Sequence, residues 1–209
     1  MDPRLRRAAR EAIGFMPEEE GLALYETAKD GLAFGPALEI GSYCGKSTTY
    51  LGAAAREMNG VIFSIDHHRG SEEHQPGEEY FDERLADSAT GRIDTLPAFR
   101  RQIVAAGIED VVLALAARSE VLAAAWRVPL GLVFIDGGHT PQAAQDDYEG
   151  WAPHLVRGGL LAIHDVFENP AEGGRPPFEI YRRAVDSSAF KEVRALGSLR
   201  VLQRVGDGL

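Results

Sequence analysis

Apolar residues in this chain fall in short consecutive runs, separated by stretches where they recur every three or four positions. The runs are "PALEIG" (36–41), "VIFSID" (61–66), "VVLALAA" (111–117), "LGLVFID" (130–136) and "GLLAIHD" (159–165). A strand with one solvated face alternates apolar and polar residues, whereas a strand covered on both faces is apolar throughout. The five runs therefore predict interior strands of a parallel sheet. Helical spacing predicts helices over "MPEEEGLALYETAKDG" (16–31), "GKSTTYLGAAAREMNG" (45–60), within "GRIDTLPAFRRQIVAAG" (91–107), and over "SEVLAAAW" (119–126), "TPQAAQDDYEGWAPHL" (140–155) and "PPFEIYRRAVDSS" (176–188). Pro17 suits a first helical position, Glu18 to Glu20 complement the N-terminal dipole, and Gly31 can end that helix. Thr140 and Pro141 open another in the same way. "FKEVRALGSLRVLQRV" (190–205) reads as a closing hairpin around Gly197. Strand–helix alternation implies an α/β fold: a doubly wound, mostly parallel sheet with an antiparallel C-terminal hairpin strand.

One segment breaks this rhythm. Residues 67–89, "HHRGSEEHQPGEEYFDERLADSA", are long, polar and rich in acid and histidine. A loop this long inside a compact domain tends to carry function. The expectation is an acidic lid; a second metal site at His67, His68 and His74 is the competing reading. The 209 residues suit one domain over 1–209, with 1–35 as an N-terminal helical segment. There is no apolar run of about 18 residues, so no membrane span is expected. "MDPRLRRAAREAIGF" is basic but lacks the apolar centre of a secretory signal. The single Cys44 cannot form an internal disulfide, and a cytoplasmic protein is expected. The net charge of −10 disfavours nucleic acid or an anionic membrane as the main partner. A small-molecule partner, neutral or cationic, fits better, because Glu72, Glu73, Glu78 and Glu79 in the long loop would repel an acid.

Ligands of open α/β sheets bind outside the carboxyl ends of the strands. Those ends carry Glu39-Ile40-Gly41, then Asp66-His67-His68, Arg118-Ser119, Asp136-Gly137-Gly138-His139, and His164-Asp165. Ionisable groups thus recur along one edge. After the first strand, "GSYCGKS" looks like a phosphate loop, but only three residues separate Gly41 from Gly45. The phosphate-binding pattern needs four, so Lys46 is expected to be a solvated residue of the first helical turn. Asp66 stands where an acid accepts hydrogen bonds from ribose hydroxyls. Loop and acid together suggest nucleoside recognition without a phosphate cradle. Cys44, Tyr148 and Trp151 read as packed core, His154 as surface, and Asp146 and Asp147 as a solvated helix face. A reach of Asp147 back towards the site is the minority reading.

"LEIGSYCGKSTTYLG" and "FSIDHH" resemble the first and second motifs of class I S-adenosylmethionine-dependent methyltransferases. "FIDGGHTPQAAQDDYEGWAPHLVRGGLLAIHDV" (134–166) is similar to a bacterial small-molecule O-methyltransferase-like group. The resemblance implies a Rossmann-like sheet of seven strands whose last strand is antiparallel. It implies S-adenosyl-L-methionine as cofactor and a homodimer as oligomeric state. It places Glu39 and the run Gly41 to Gly45, with Ser42 and Tyr43, at the methionine moiety, Asp66 at the ribose, and Ser119 with the backbone around Arg118 at the adenine, and it counts Ser47, His67 and Asp136 as further cofactor contacts. It implies His139 as general base, with Asp136 beside it in the catalytic set. In metal-dependent relatives a divalent ion sits at the positions of Asp136, His164 and Asp165.

That chemistry makes physical sense. A sulfonium is a good leaving group, so alignment and a deprotonated acceptor are the main needs. A phenol of pKa about 10 is mostly protonated at neutral pH, and a cation or an imidazole can take up that burden. The histidine is a departure, since the relatives pair Asp with Asn or two acids at this point. Magnesium rarely takes imidazole, so a His164 ligand shifts the metal towards manganese, iron or zinc. Alternatively His164 is no ligand, and two carboxylates are too few for a tight site. Two further readings stay open: a metal-dependent hydrolase or oxygenase on the same fold, and a non-catalytic cofactor-binding module.

Overall fold

The computed structural model describes residues 1–78, 80–169, 171 and 173–208. Glu79, Pro170, Glu172 and Leu209 lie outside the described residues, as does the side chain of Glu73, so the repulsion of an acid expected from Glu73 and Glu79 falls outside them too. The chain runs through α1 (Pro3–Glu11), α2 (Glu18–Leu32), β1 (Ala37–Ile40), α3 (Lys46–Met58), β2 (Ile62–Asp66), α4 (Leu96–Ala106), β3 (Val112–Ala116), α5 (Ser119–Ala125), β4 (Leu130–Ile135), α6 (Pro141–Trp151), β5 (Leu155–Ile163), α7 (Pro176–Asp186), β6 (Phe190–Leu196) and β7 (Leu199–Arg204). One sheet holds seven strands in the order β3-β2-β1-β4-β5-β7-β6. β7 is antiparallel to both of its neighbours. The β1–β5 pairs are all parallel. The expected doubly wound, mostly parallel sheet with an antiparallel hairpin strand is what forms.

Strand periodicity divides the core in two. Leu38, Ile40, Val133, Ile135, Leu161 and Ile163 face α5, α6 and α7, where Tyr148, Trp151 and Ile180 are fully buried. Ala37, Leu132, Phe134, Leu160 and Ala162 face α2, α3 and α4, against Leu24, Tyr25, Leu51 and Phe99. β1 and β4 are buried at every position, as their apolar runs predict. β3 is not: it is an edge strand, and Leu113 is half exposed.

The register fixes the site. Ile40 pairs with both Ile65 and Ile135, and Ile135 pairs with Ile163. The residues that follow, Gly41, Asp66, Asp136 and His164, therefore emerge side by side at one edge. Gly41 has φ +89°, and a Cβ there would collide with the Asp136 carbonyl, so only glycine lets the β1 and β4 ends come this close.

Some details depart from the pattern. α1 forms within the expected helical segment, capped by Asp2, whose carboxylate accepts from Arg4 N at 2.7 Å. β5 begins at Leu155, before the run at 159, and crosses a register shift opposite β4. The 67–89 loop contains two short 3-10 turns, Glu72–His74 and Glu83–Leu85, and its Ala86 bridges to Ile93 just beyond it. Among the described residues no helix is long and apolar enough to cross a membrane.

Candidate active site

A cavity of about 1340 Å³ opens over the carboxyl edge of the sheet. Ordinary ligand pockets run to roughly 300–1,000 Å³, so this one has room for two reactants. Gly41, Ser42, Tyr43 and Ser47 line it from the β1–α3 turn, and Asp66 and His67 from the end of β2. Arg118 and Ser119 line it after β3, Asp136 and His139 after β4, and His164 and Asp165 after β5. The fold thus gathers nearly all the expected site residues into one space.

The turn after β1 is built for close approach. Tyr43 and Gly45 both adopt positive φ, and the chain then enters α3 with no side-chain cap on its first turn among the described residues. Asp66 braces this turn: one oxygen accepts from Tyr43 N at 2.8 Å, the other from His68 N at 2.7 Å. Ser42 is buried, and its hydroxyl has no partner among the described residues although it lines the cavity. Buried hydroxyls are normally satisfied, so this one marks a place where a ligand can bond.

Two expected cofactor contacts stand elsewhere. Glu39 is not among the residues lining the cavity; it is fully buried beneath the turn. Its carboxylate accepts from Ser47 Oγ at 2.5 Å, Thr48 Oγ1 at 2.6 Å and Ser64 Oγ at 2.5 Å. Burial pushes its pKa up to about 7 despite those bonds. It ties β1, β2 and the start of α3 together, and so supports the turn from below. Gly45 packs against Phe99 and Gln102. Lys46 is not merely solvated, since its Nζ donates to Ala12 O at 3.2 Å at the end of α1.

After β3, Ser119 Oγ donates to Asp147 Oδ1 at 2.5 Å and accepts from Trp151 Nε1 at 2.7 Å. Asp147 is therefore no solvated helix residue: it is buried, and burial lifts its pKa to about 7. Cys44, Tyr148 and Trp151 are core, as expected, while His154 is half-buried and packs on Trp151. His67, His68 and His74 do not converge: His68 is buried on Thr95 Oγ1 at 2.7 Å, while His74 Nδ1 meets Ser71 Oγ at 2.8 Å.

The other wall holds a chain of acids and imidazoles. His139 Nε2 lies 3.2 Å from Asp165 Oδ2. Asp165 sits at φ 56°, a left-handed conformation rare for a non-glycine residue and a common companion of functional sites. Burial would raise its pKa, but hydrogen bonds from His139 and His164 hold it well below the usual carboxylate range. His164 Nδ1 lies 2.9 Å from Asp136 Oδ1, and its Nε2 lies 2.6 Å from Glu20 Oε2. Burial alone would lower the His164 pKa; the surrounding carboxylates outweigh it and push it up to about 12. Burial raises Asp136, and the charged His164 beside it opposes the shift.

Glu20 was not foreseen as a site residue. Its run, Glu18 to Glu20, reads as a complement to the α2 dipole. The available signal is helical spacing: Glu20 shares a face with Leu24, Thr27, Ala28 and Gly31, all buried.

Asp136, His164 and Asp165 each offer one atom within 4.8 Å of the others, which is close enough for a metal by proximity. The bonding of the donors fits a metal poorly. Both nitrogens of His164 already face carboxylates, so the ring has no lone pair to offer. That leaves two carboxylates.

Residues 38–166 match the family described as methyltransferase domain. The chain belongs to this family and is a class I S-adenosylmethionine-dependent methyltransferase. Solved structures share its fold at low identity. The O-methyltransferase TomG from Streptomyces achromogenes, involved in tomaymycin synthesis and crystallised with SAM, is 16% identical with a TM-score of 0.66. The alignment covers 99% of this chain and 91% of TomG. The O-methyltransferase NovP is 16% identical over 90% of this chain and 80% of its own, with a TM-score of 0.68. The SAH-bound methyltransferase PaMTH1 from Podospora anserina is 13% identical over 98% and 88%, also with a TM-score of 0.68.

Proposed function

We propose that this protein transfers the methyl group of S-adenosylmethionine to a hydroxyl oxygen of a small, flat, neutral or cationic molecule. One observation carries the reading: a single cavity has a cofactor-type turn with Asp66 on one wall and a His139–Asp165 pair on the other. The turn, the orphaned Ser42 hydroxyl and Asp66 would hold the methionine and ribose parts, and Ser119 would border the adenine. When bound, S-adenosylmethionine supplies an electrophilic methyl on a sulfonium.

The protein's own residues do the rest. His139 Nε2 lies 3.2 Å from Asp165 Oδ2, close enough for the carboxylate to orient the imidazole. The imidazole takes the acceptor's proton as its oxygen attacks, and Asp165 stabilises the imidazolium that results. Carboxylates outnumber Lys and Arg among the lining residues, which suits a cationic cofactor and disfavours an anionic acceptor. At the mouth, Phe15 is 66% exposed, with ring centroids 5.9 Å from Tyr43 and 5.4 Å from Tyr80. An exposed cluster of rings is a natural face for a planar acceptor. The hydrolase, oxygenase and non-catalytic readings gain no support from a particular contact.

Incubation with carbon-13-methyl-labelled cofactor and a panel of hydroxylated small molecules tests the proposal. The expected product is a methyl ether. Labelling of nitrogen or sulfur acceptors alone would refute the oxygen reading. Phe15→Ala is expected to raise KM for a ring-containing acceptor about tenfold, from an aromatic contact of roughly 1.4 kcal/mol, with kcat little changed.

A further inference from the structure

His164 joins three elements that are far apart in sequence. Its side chain is 6% exposed. Nε2 lies 2.6 Å from Glu20 Oε2 on α2, and Nδ1 lies 2.9 Å from Asp136 Oδ1 after β4 and 3.4 Å from Asp165 Oδ1. An ionised carboxylate can only accept, so a ring nitrogen within bonding distance of one must carry hydrogen. With a carboxylate at each nitrogen, the ring donates from both sides and is a cation.

Glu20 cannot easily turn away. Its Oε1 accepts from Ser198 N at 2.7 Å, and Ser198 Oγ lies 3.2 Å from Oε2. The β6–β7 turn is shaped around this carboxylate: Gly197 has φ +53°, and any Cβ there would collide with Glu20 Oε1. The arrangement is therefore anchored at both ends. A dication placed between Asp136 and Asp165 would stand within a few ångströms of the imidazolium, where like charges repel strongly.

We propose that the Asp136–His164–Asp165 corner is closed to a divalent cation: the His164 imidazolium, held in place by Glu20, supplies the positive charge there, and methyl transfer proceeds with no bound metal. Glu20 is then a positioning residue. It acts through His164 on Asp136 and Asp165, and so on the ring of His139. The inference rests on the methyltransferase reading for its role in catalysis, but its metal part can be tested without turnover.

The protein is treated with chelator, saturated with S-adenosylhomocysteine, and titrated with manganese(II) while free ion is read by electron paramagnetic resonance. The wild type is expected to show no saturable site tighter than about 1 mM. The double variant Glu20→Gln/His164→Asp places a carboxylate at the corner and removes the buried charge behind it. It is expected to bind manganese at least about tenfold more tightly than wild type, a difference of about 1.4 kcal/mol. One tight manganese per wild-type chain, abolished by Asp136→Asn, would overturn the proposal. So would a folded double variant with no gain. If that variant does not fold, the wild-type titration decides alone. S-adenosylhomocysteine binding in the same samples keeps a failure of the cofactor reading distinct.

Positioning by Glu20 has its own readout. In protein labelled with nitrogen-15 histidine, both His164 ring N–H groups are expected as protected signals at about pH 8, above the ordinary histidine range. Glu20→Gln, which keeps an acceptor, should lower kcat while KM and cofactor affinity hold. A single protonated ring nitrogen in the wild type, or an unchanged kcat in that variant, would refute the role.

Discussion

His139 and Glu39 show how differently two polar residues at strand ends can be used. His139 lines the cavity and leans on Asp165; Glu39 lies one residue before Ile40 and faces the other way, under α3. Replacing His139 with Ala should lower kcat by about 10²–10⁴, the usual worth of a positioned base, with S-adenosylhomocysteine affinity within about threefold of wild type. Steady-state kinetics and calorimetry would show it. An unchanged kcat would remove His139 from the mechanism. Glu39→Ala strands three buried hydroxyls and should destabilise the fold by about 2–4 kcal/mol, whereas Glu39→Gln, which can still accept, should cost less. Urea unfolding measures both. Equal stability of Glu39→Ala and wild type would mean the hydroxyl cluster is not structural. The residues flanking the strand ends were legible because strand ends collect ligands. The direction of Glu39 was partly legible too, since strand alternation sets it opposite Leu38 and Ile40. Its three hydroxyl partners were not, because Ser64 comes from another strand.

At the scale of elements, two polar ties link helices to the sheet edge. Glu20 joins α2 to β5, and Asp147 joins α6 to the first residue of α5 through Ser119. The second tie carries a pH signature. Burial lifts the folded pKa of Asp147 from the ordinary 3.8 to about 7, so the folded state holds a proton that the unfolded chain releases between those values. Its contribution to stability therefore falls as pH rises from about 4 to about 7, and is level above that. Asp147→Asn abolishes this slope. Relative to wild type, the variant should gain up to a few kcal/mol between about pH 4.5 and about pH 7.5, as urea unfolding at the two values would report. A difference that does not change with pH would contradict the buried, proton-holding carboxyl. Neither tie was readable from local pattern. Asp147 looked like one acid of a solvated pair, and Glu20 like part of a capping run. Each is a buried carboxyl on a largely apolar helix face, and tertiary packing decides its partner.

At the scale of the whole molecule, the sheet's register does the functional work. Parallel pairing of Ile40, Ile65, Ile135 and Ile163 sets Asp66, Asp136 and His164 in one row with the Gly41 turn. The parallel strands, the helices between them and the hairpin were legible from apolar runs and turn residues, because burial on both faces writes itself into sequence; the strand order was not. The acceptor side was less so. Phe15, Tyr43 and Tyr80 come from three separate segments, and no spacing along the chain predicts that their rings meet. Methyl transfer at this site depends on the turn at Gly41–Ser47 and Asp66 forming the cofactor seat. Isothermal titration of the protein with S-adenosylhomocysteine tests it most directly. The account predicts one site per chain with a Kd of about 1–100 μM, weakened at least about tenfold by Asp66→Ala. The absence of binding at about 1 mM ligand, or binding indifferent to Asp66, would contradict it.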